Sequence, residues 1–292
     1  RGAHHDLRGR HQDRSGARPC VHSRVCPADP HSGARPSGLH QLASGISAFQ
    51  RHTAPLVRGE LARLAREGQR PSQLFLTCAD SRLVTSMITS SGPGDLFVVR
   101  NMGNLVPRPG DESGDDSVAA AIEYAVEVLK VRSITVCGHS SCGAMQALMT
   151  MSTESPRHAG AADPSGSPQP EHTRASAPPD GTVQTPLIRW LRYGLPGLEA
   201  MRSAGQPVVR LAGRAPADSV EQLCLTNVVQ QLEHLRAHES VARRIAAGTL
   251  DLHGMYFHVA EAQGYLLADD VMVFDQVAPA AHRAVTSEFG DA

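Results

Sequence analysis

Three short apolar runs, each closed by polar or turn-forming residues, set the first expectations for this chain. "QLFLTC" (73–78), "DLFVVRN" (95–101) and "SITVCGH" (133–139) are bounded by Pro, Asp, Gly and Asn and read as buried strands. Between the second and third lies "SVAAAIEYAVEVLKV", where Val118, Ile122, Ala125 and Leu129 share one helical face. Asp115, Asp116 and Ser117 are expected to supply first-turn acids and a cap to that helix. Strand, helix and strand with short links imply a right-handed parallel crossover. Upstream, Leu56, Leu61 and Leu64 in "APLVRGELARLAREG" fall near helical spacing, and Gly68 is a helix stop. Downstream the same alternation predicts helices over 219–236 and 240–247, a strand in "LDLHGMYFHV" (250–259) and an edge strand in "VMVFD" (271–275). The fold class that follows is α/β, a central, mainly parallel sheet flanked by helices.

Two stretches break the pattern. Residues 1–38 carry only Leu7, Val21 and Val25 as aliphatic residues beyond Ala, too little apolar surface to offset ordering entropy, and are read as a disordered tail or linker. Cys20, His22 and Cys26 within them match no zinc spacing. The stretch 152–185 has six Pro and a single such aliphatic residue, Val183, and is read as a low-complexity insertion in a domain spanning 39–292. Apolar content of 41% over 292 residues is enough for a real core. A formal charge of −1 without a basic stripe argues against nucleic acid, and no apolar run approaches the roughly 18 residues of a membrane span. No charged-then-apolar leader opens the chain, and six irregularly spaced Cys do not form a disulfide framework, so a reducing, cytoplasmic compartment is expected.

Candidate chemistry gathers at two strand ends, "LTCADSR" (76–82) and "VCGHSSC" (136–142). Ligands of open parallel sheets bind outside the carboxyl ends of the strands, where loops from different strands converge. Cys78, His139 and Cys142 are donors of the kind Zn²⁺ prefers, and three protein ligands leave a fourth position open, as in catalytic zinc sites, where bound water has a pKa of about 7. Asp80 and Arg82 follow Cys78 by two and four residues, and a guanidinium fork can clamp a carboxylate in its ionised form. The plainer alternative is a small buried hydrophobe at each Cys and a surface ion pair in the turn. Cys137 and Cys224 are read as buried residues outside the ligand set.

With these residues in view, "CADSR", "GDLFVVRNMGNLVP" (94–107) and "GHSSCGA" (138–144) together resemble the β-class carbonic anhydrases, and the likeness extends through "AAIEYAV" (120–126) and "LDLHGMYFHV" over most of residues 40–275. The resemblance implies Zn²⁺ on Cys78, His139 and Cys142, an Asp80–Arg82 dyad, interconversion of CO₂ and bicarbonate, and a homodimer or higher even-numbered assembly with the cleft near the subunit interface. It places Gln69 as a substrate hydrogen-bonding residue and Phe97, Met102 and Tyr124 at apolar and aromatic cleft positions. A dry slot suits a small linear substrate, and Phe97, Met102 and Leu105 are expected to line it. The tail and the insertion depart from the usual family pattern. The arrangement is also similar to carbonic anhydrase domains attached to some SulP-type membrane anion transporters, which would make 1–38 a linker remnant. Two rival readings share the fold: a non-catalytic zinc domain that senses bicarbonate or regulates a membrane anion transporter, and a hydrolase of CS₂ or COS.

Overall fold

The computed structural model describes residues 38–110, 116–151, 185–203 and 208–279. All of the expected tail but Gly38 and all of the expected insertion but Thr185 lie outside these residues, as do Cys20, His22, Cys26 and Asp115. The chain divides into two compact units, 1–56 and 57–292. In the first, helix α1 (Gly38–Ala48) continues into a π-helical turn (Phe49–Thr53), and none of its residues is buried. Helix α2 (Ala54–Glu67) follows the predicted spacing and ends where the Gly68 N–H donates to the Leu64 carbonyl at 2.9 Å.

Seven strands among the described residues form one sheet: β1 (Gln73–Cys78), β2 (Leu96–Asn101), β3 (Ser133–His139), β4 (Arg210–Leu211), β5 (Asp251–His258), β6 (Gln263–Ala268) and β7 (Val273–Gln276). Their order is β2-β1-β3-β5-β6-β7-β4. β1 pairs in parallel with both β2 and β3, and β3 with β5; β6 runs antiparallel to both its neighbours. The chain thus leaves β1 toward β2 on one side and returns across it to β3 on the other. That reversal is a topological switch point, and it opens a crevice at the carboxyl ends of β1 and β3.

Between these strands come α3 (Thr85–Thr89) and α4 (Ser117–Glu123), the latter running into a π-helical turn (Tyr124–Val128). The expected face holds: Val118, Ile122 and Ala125 are buried and Leu129 packs against the core. The expected cap does not. Asp116 occupies the cap position without a side-chain hydrogen bond, and no acid lies in the first turn, because the helix begins only at Ser117. After β3 come α5 (Gly143–Met151), α6 (Pro186–Leu191), α7 (Leu195–Arg202), α8 (Ser219–Ala237) and α9 (Glu239–Ala246). "VMVFD" is an interior strand and not an edge. Two-residue β4 closes the sheet beyond it, with Arg210 N–H donating to Met272 O (3.0 Å) and Ala212 N–H to Phe274 O (2.9 Å). β6 was not among the expected elements.

Helix α8 covers the centre of the sheet. Its N-terminus is capped by the Asp218 carboxylate, which accepts from Glu221 N–H at 2.8 Å, worth about 1 kcal/mol. Leu223, Val228 and Leu232 are buried in one core with Leu74, Leu76, Ile134 and Val136 of the strands, each side chain contributing ~1.5–3 kcal/mol. The approach is so close that a Cβ on Gly138 would stand 2.6 Å from Val228 Cγ2 and 3.2 Å from the Cys224 carbonyl, so only glycine fits just before His139. No helix among the described residues is long and apolar enough to cross a membrane.

Candidate metal centre

Cys78 is the last residue of β1 and His139 the last of β3, and these two strands are paired neighbours ending at the same edge of the sheet. Cys142 follows three residues later, directly before α5, where its carbonyl accepts from Gln146 N–H at 3.0 Å. The positive end of that helix favours a thiolate. The turn between them contains Ser141 at φ 54°, an uncommon backbone state for a residue with a side chain. All three side chains are buried, and their ligand atoms lie within 4.8 Å of one another.

The donor set fits a zinc ion. Cys78 Sγ and Cys142 Sγ are 3.9 Å apart, against about 3.8 Å for the edge of a tetrahedron with ~2.3 Å Zn–S bonds. His139 Nδ1 lies 2.9 Å from the Ser140 carbonyl, which can only accept, so Nδ1 carries the proton and Nε2 the lone pair. That Nε2 is buried with no hydrogen-bond partner. A buried acceptor left unpaired is costly in a protein interior, and a cation beside two thiols satisfies it. The contact with Cys142, with help from His139 and the Gly103 N–H, holds the Cys78 thiol well below its ordinary range against the opposing effect of burial. The same sulfur contact, and then burial, push Cys142 up.

Asp80 lies just beyond Cys78. Its Oδ1 accepts from the Arg82 backbone N–H (3.0 Å) and Nε–H (2.9 Å), and its Oδ2 from Arg82 Nη2 (2.7 Å). These bonds, the side-chain ones foremost, hold the carboxyl well below the usual carboxylate range. Oδ2 keeps one lone pair, and it stands 3.9 Å from His139 Nε2. Arg82 Nη2 also donates to the Ser141 carbonyl at 3.0 Å, so one guanidinium ties the loop after β1 to the loop after β3.

The structure brings Cys78, Asp80, Arg82, His139 and Cys142 together. Phe97 and Met102 line one groove with Val118 and Trp190, and Tyr124 packs on Phe97 with ring centroids 5.9 Å apart. Gln69 is exposed in the link between α2 and β1, and the structure does not bring it into hydrogen bonding with the cluster. Leu105 does not line the groove. It is fully buried, because both of its backbone polar groups are clamped by the Asn101 side chain, which turns it into the core. Cys137 and Cys224 are buried outside the cluster, and burial pushes each thiol up to about 12.

Two supporting residues escaped the sequence reading. Arg100, at the end of β2, donates to the Cys78 carbonyl (3.1 and 3.2 Å) and the Asp80 carbonyl (2.7 Å), fixing the turn that carries both side chains. Ser140 orients His139 through its carbonyl, while its Oγ accepts from Val259 N–H at 2.8 Å. The signal available for Arg100 was a lone charge at the end of an otherwise apolar strand.

Comparison with known proteins gives a consistent result. The family model described as Carbonic anhydrase matches residues 73–168 and 172–264. A carbonic anhydrase of Pseudomonas aeruginosa is 34% identical over 222 residues, covering 76% of this chain and 84% of the relative. Carbonic anhydrase 1 of Escherichia coli O157:H7 is 34% identical with the same coverage. Among solved structures, the β-carbonic anhydrase CcaA superposes with a TM-score of 0.64 at 27% identity, covering 85% of this chain and 94% of its own. One of two tetrameric β-carbonic anhydrases from Sordaria macrospora does so with a TM-score of 0.55 at 25% identity, covering 79% and 96%.

Proposed function

This chain belongs to the β-class carbonic anhydrase family, and from that premise we propose that it catalyses the reversible hydration of CO₂ to bicarbonate and a proton at a zinc site held by Cys78, His139 and Cys142. The observation that carries the reading is the buried set of two sulfurs and an unpartnered imidazole nitrogen at the switch point of the sheet. When bound, zinc supplies Lewis acidity that makes water a nucleophile at neutral pH.

The remaining work falls to the chain's own residues. Arg82 keeps Asp80 ionised and fixes its plane, so Oδ2 offers a single lone pair toward the cluster. That acceptor takes a hydrogen bond from the attacking water and aims its free electron pair at carbon. Phe97, Met102 and Tyr124 are assigned to an apolar wall that suits an uncharged substrate, a role supported by the groove that Phe97 and Met102 line and by the packing of Tyr124 on Phe97. Gln69 is assigned a hydrogen bond to a substrate oxygen, a role supported by the family pattern alone. The activity is assigned to residues 39–292, with 1–38 as a linker. The tetrameric Sordaria relatives support a homo-oligomer of even number. The four described cysteines are free, which supports a reducing, cytoplasmic setting.

Stopped-flow CO₂ hydration on the zinc-loaded full chain tests the reading. A rate well above buffer across pH 7–9 is expected; a rate equal to buffer would favour the bicarbonate-sensing alternative.

A further inference from the structure

Helix α8 and the residue that ends it, His238, carry a row of buried polar residues that the proposed chemistry does not use. Asn227, Gln231, His234 and His238 recur at helical spacing on one face, and all four are buried. Each bonds to the irregular segment 103–107 that follows β2. Val106 N–H donates to Gln231 Oε1 at 2.7 Å; Gln231 Nε2 donates to Asn227 Oδ1 at 3.0 Å; Asn227 Nδ2 donates to the Gly103 carbonyl at 3.0 Å. His234 Nδ1 and His238 Nε2 face the carbonyls of Val106 (2.8 Å) and Pro107 (3.0 Å). Donor and acceptor alternate without conflict, so the network sets which way each amide points.

The upper end of this row reaches the metal cluster. Gly103 N–H donates to Cys78 Sγ at 3.4 Å, while the carbonyl of the same residue is held by Asn227. Gly103 has φ 79°, and a Cβ there would stand 2.9 Å from Ala144 Cβ, so its backbone is wedged between Cys78 and the first turn of α5. A hydrogen bond to a thiolate withdraws charge from the sulfur, and such outer partners govern both the affinity and the electronics of a metal site.

We infer that Asn227 and Gln231 are positioning residues for the metal centre, a relay in which Gln231 orients the Asn227 amide and Asn227 holds Gly103 so that its N–H stays on the Cys78 sulfur. The inference rests on Cys78, His139 and Cys142 being the zinc site. Gln231 acts at two removes and Asn227 at one, so neither touches substrate.

The test uses the full chain, stripped and reloaded with Zn²⁺ or Co²⁺, with chelator competition for affinity and the thiolate-to-Co²⁺ absorption band for electronics. Asn227→Ala and Gln231→Met should raise the zinc Kd by about 10- to 100-fold and shift the band. His238→Gln alters the position of the row furthest from Gly103 and should leave both readouts at the parent's values. Should Gln231→Met fail to fold, Gln231→Glu carries the test, since it retains the acceptor for Val106 N–H and turns a carboxylate oxygen in place of the donor toward Asn227 Oδ1. Parent-like Kd and band in Asn227→Ala and Gln231→Glu would overturn the inference. So would an equal shift in His238→Gln, which would make the row a general anchor. A parent that binds no Co²⁺ through thiolate would overturn the zinc-site reading itself, and this inference with it.

Discussion

Two arginine–carboxylate pairs in this protein are both bidentate, one through Nε and Nη2 and the other through the two Nη groups, and they differ in what remains of the carboxylate. Arg82 grips Asp80 and Arg214 grips Glu221, each with a closest contact of 2.7 Å. Glu221 is saturated: Oε1 accepts from Arg214 Nη2 and the Tyr256 hydroxyl, and Oε2 from Arg214 Nη1 and Ala217 N–H. Its four lone pairs are spent inside the fold, and its side chain is 5% exposed. Asp80 receives three bonds, all from Arg82, and keeps one lone pair beside the metal cluster. A bidentate arginine therefore does not define a role. The count of donors does: a filled carboxylate locks structure, and one lone pair left over at a crevice is available to chemistry.

The comparison breaks most visibly at Arg214. Arg214→Met strands a buried carboxylate and should cost about 3–5 kcal/mol of stability, while the specific activity of the folded fraction stays at the parent's level. Chemical denaturation paired with activity per folded molecule checks it. An unchanged denaturation midpoint would mean that the pair adds nothing to the fold.

Asp80 should behave in the opposite sense. Asp80→Asn or Arg82→Ala should lower kcat by about 10²-fold or more, with zinc retained and the denaturation midpoint close to the parent's. Full CO₂ hydration in either variant would reduce the dyad to an ordinary ion pair.

Acid titration sharpens the contrast more gently. Burial pushes the Glu221 pKa up, but Arg214, Ala217 and Tyr256 outweigh it and hold it down to about 2. A depressed folded-state pKa contributes stability above the unfolded value of about 4.5, and that stability drains away as the pH falls from there toward 2. Arg214→Met should flatten this acid limb, as followed by equilibrium unfolding at stepped pH; an identical limb in both proteins would assign it to other groups.

The smallest effect serves as a reference. Arg63 bridges Glu60 and Glu67 on the exposed face of α2, where solvent screens the charges, so Arg63→Ala should leave the denaturation midpoint unmoved.

What could be read in the sequence follows the same division. β1, β2 and β3 were legible because buried parallel strands are continuous apolar runs, and the metal cluster was legible because reactive residues ended two of them. β4 was not, since two residues carry no period. β6 was hidden because "QGYLLA" opens on Gln-Gly and finds its partners only through antiparallel pairing on both sides. Without β4 in view, β7 looked like an edge. Asp80 and Arg82 stand two residues apart and could be paired by eye. Glu221 draws on Arg214 and Tyr256, seven and 35 residues away, which only the folded chain brings together. Asn227 and Gln231 passed as ordinary polar helix positions, because nothing local shows that their face is turned inward. Leu105 was misread for the converse reason: apolar character says that a residue is buried, but not against what.

The account stands or falls on whether the three strand-end residues hold a metal. Elemental analysis of zinc per folded chain, in the parent and in Cys142→Ser, measures this directly. One zinc per parent chain and loss of most of it in a folded Cys142→Ser are predicted, because a hydroxyl in place of a thiolate leaves too few donors. Full zinc retention by the variant, or a folded parent that takes up none, would contradict it.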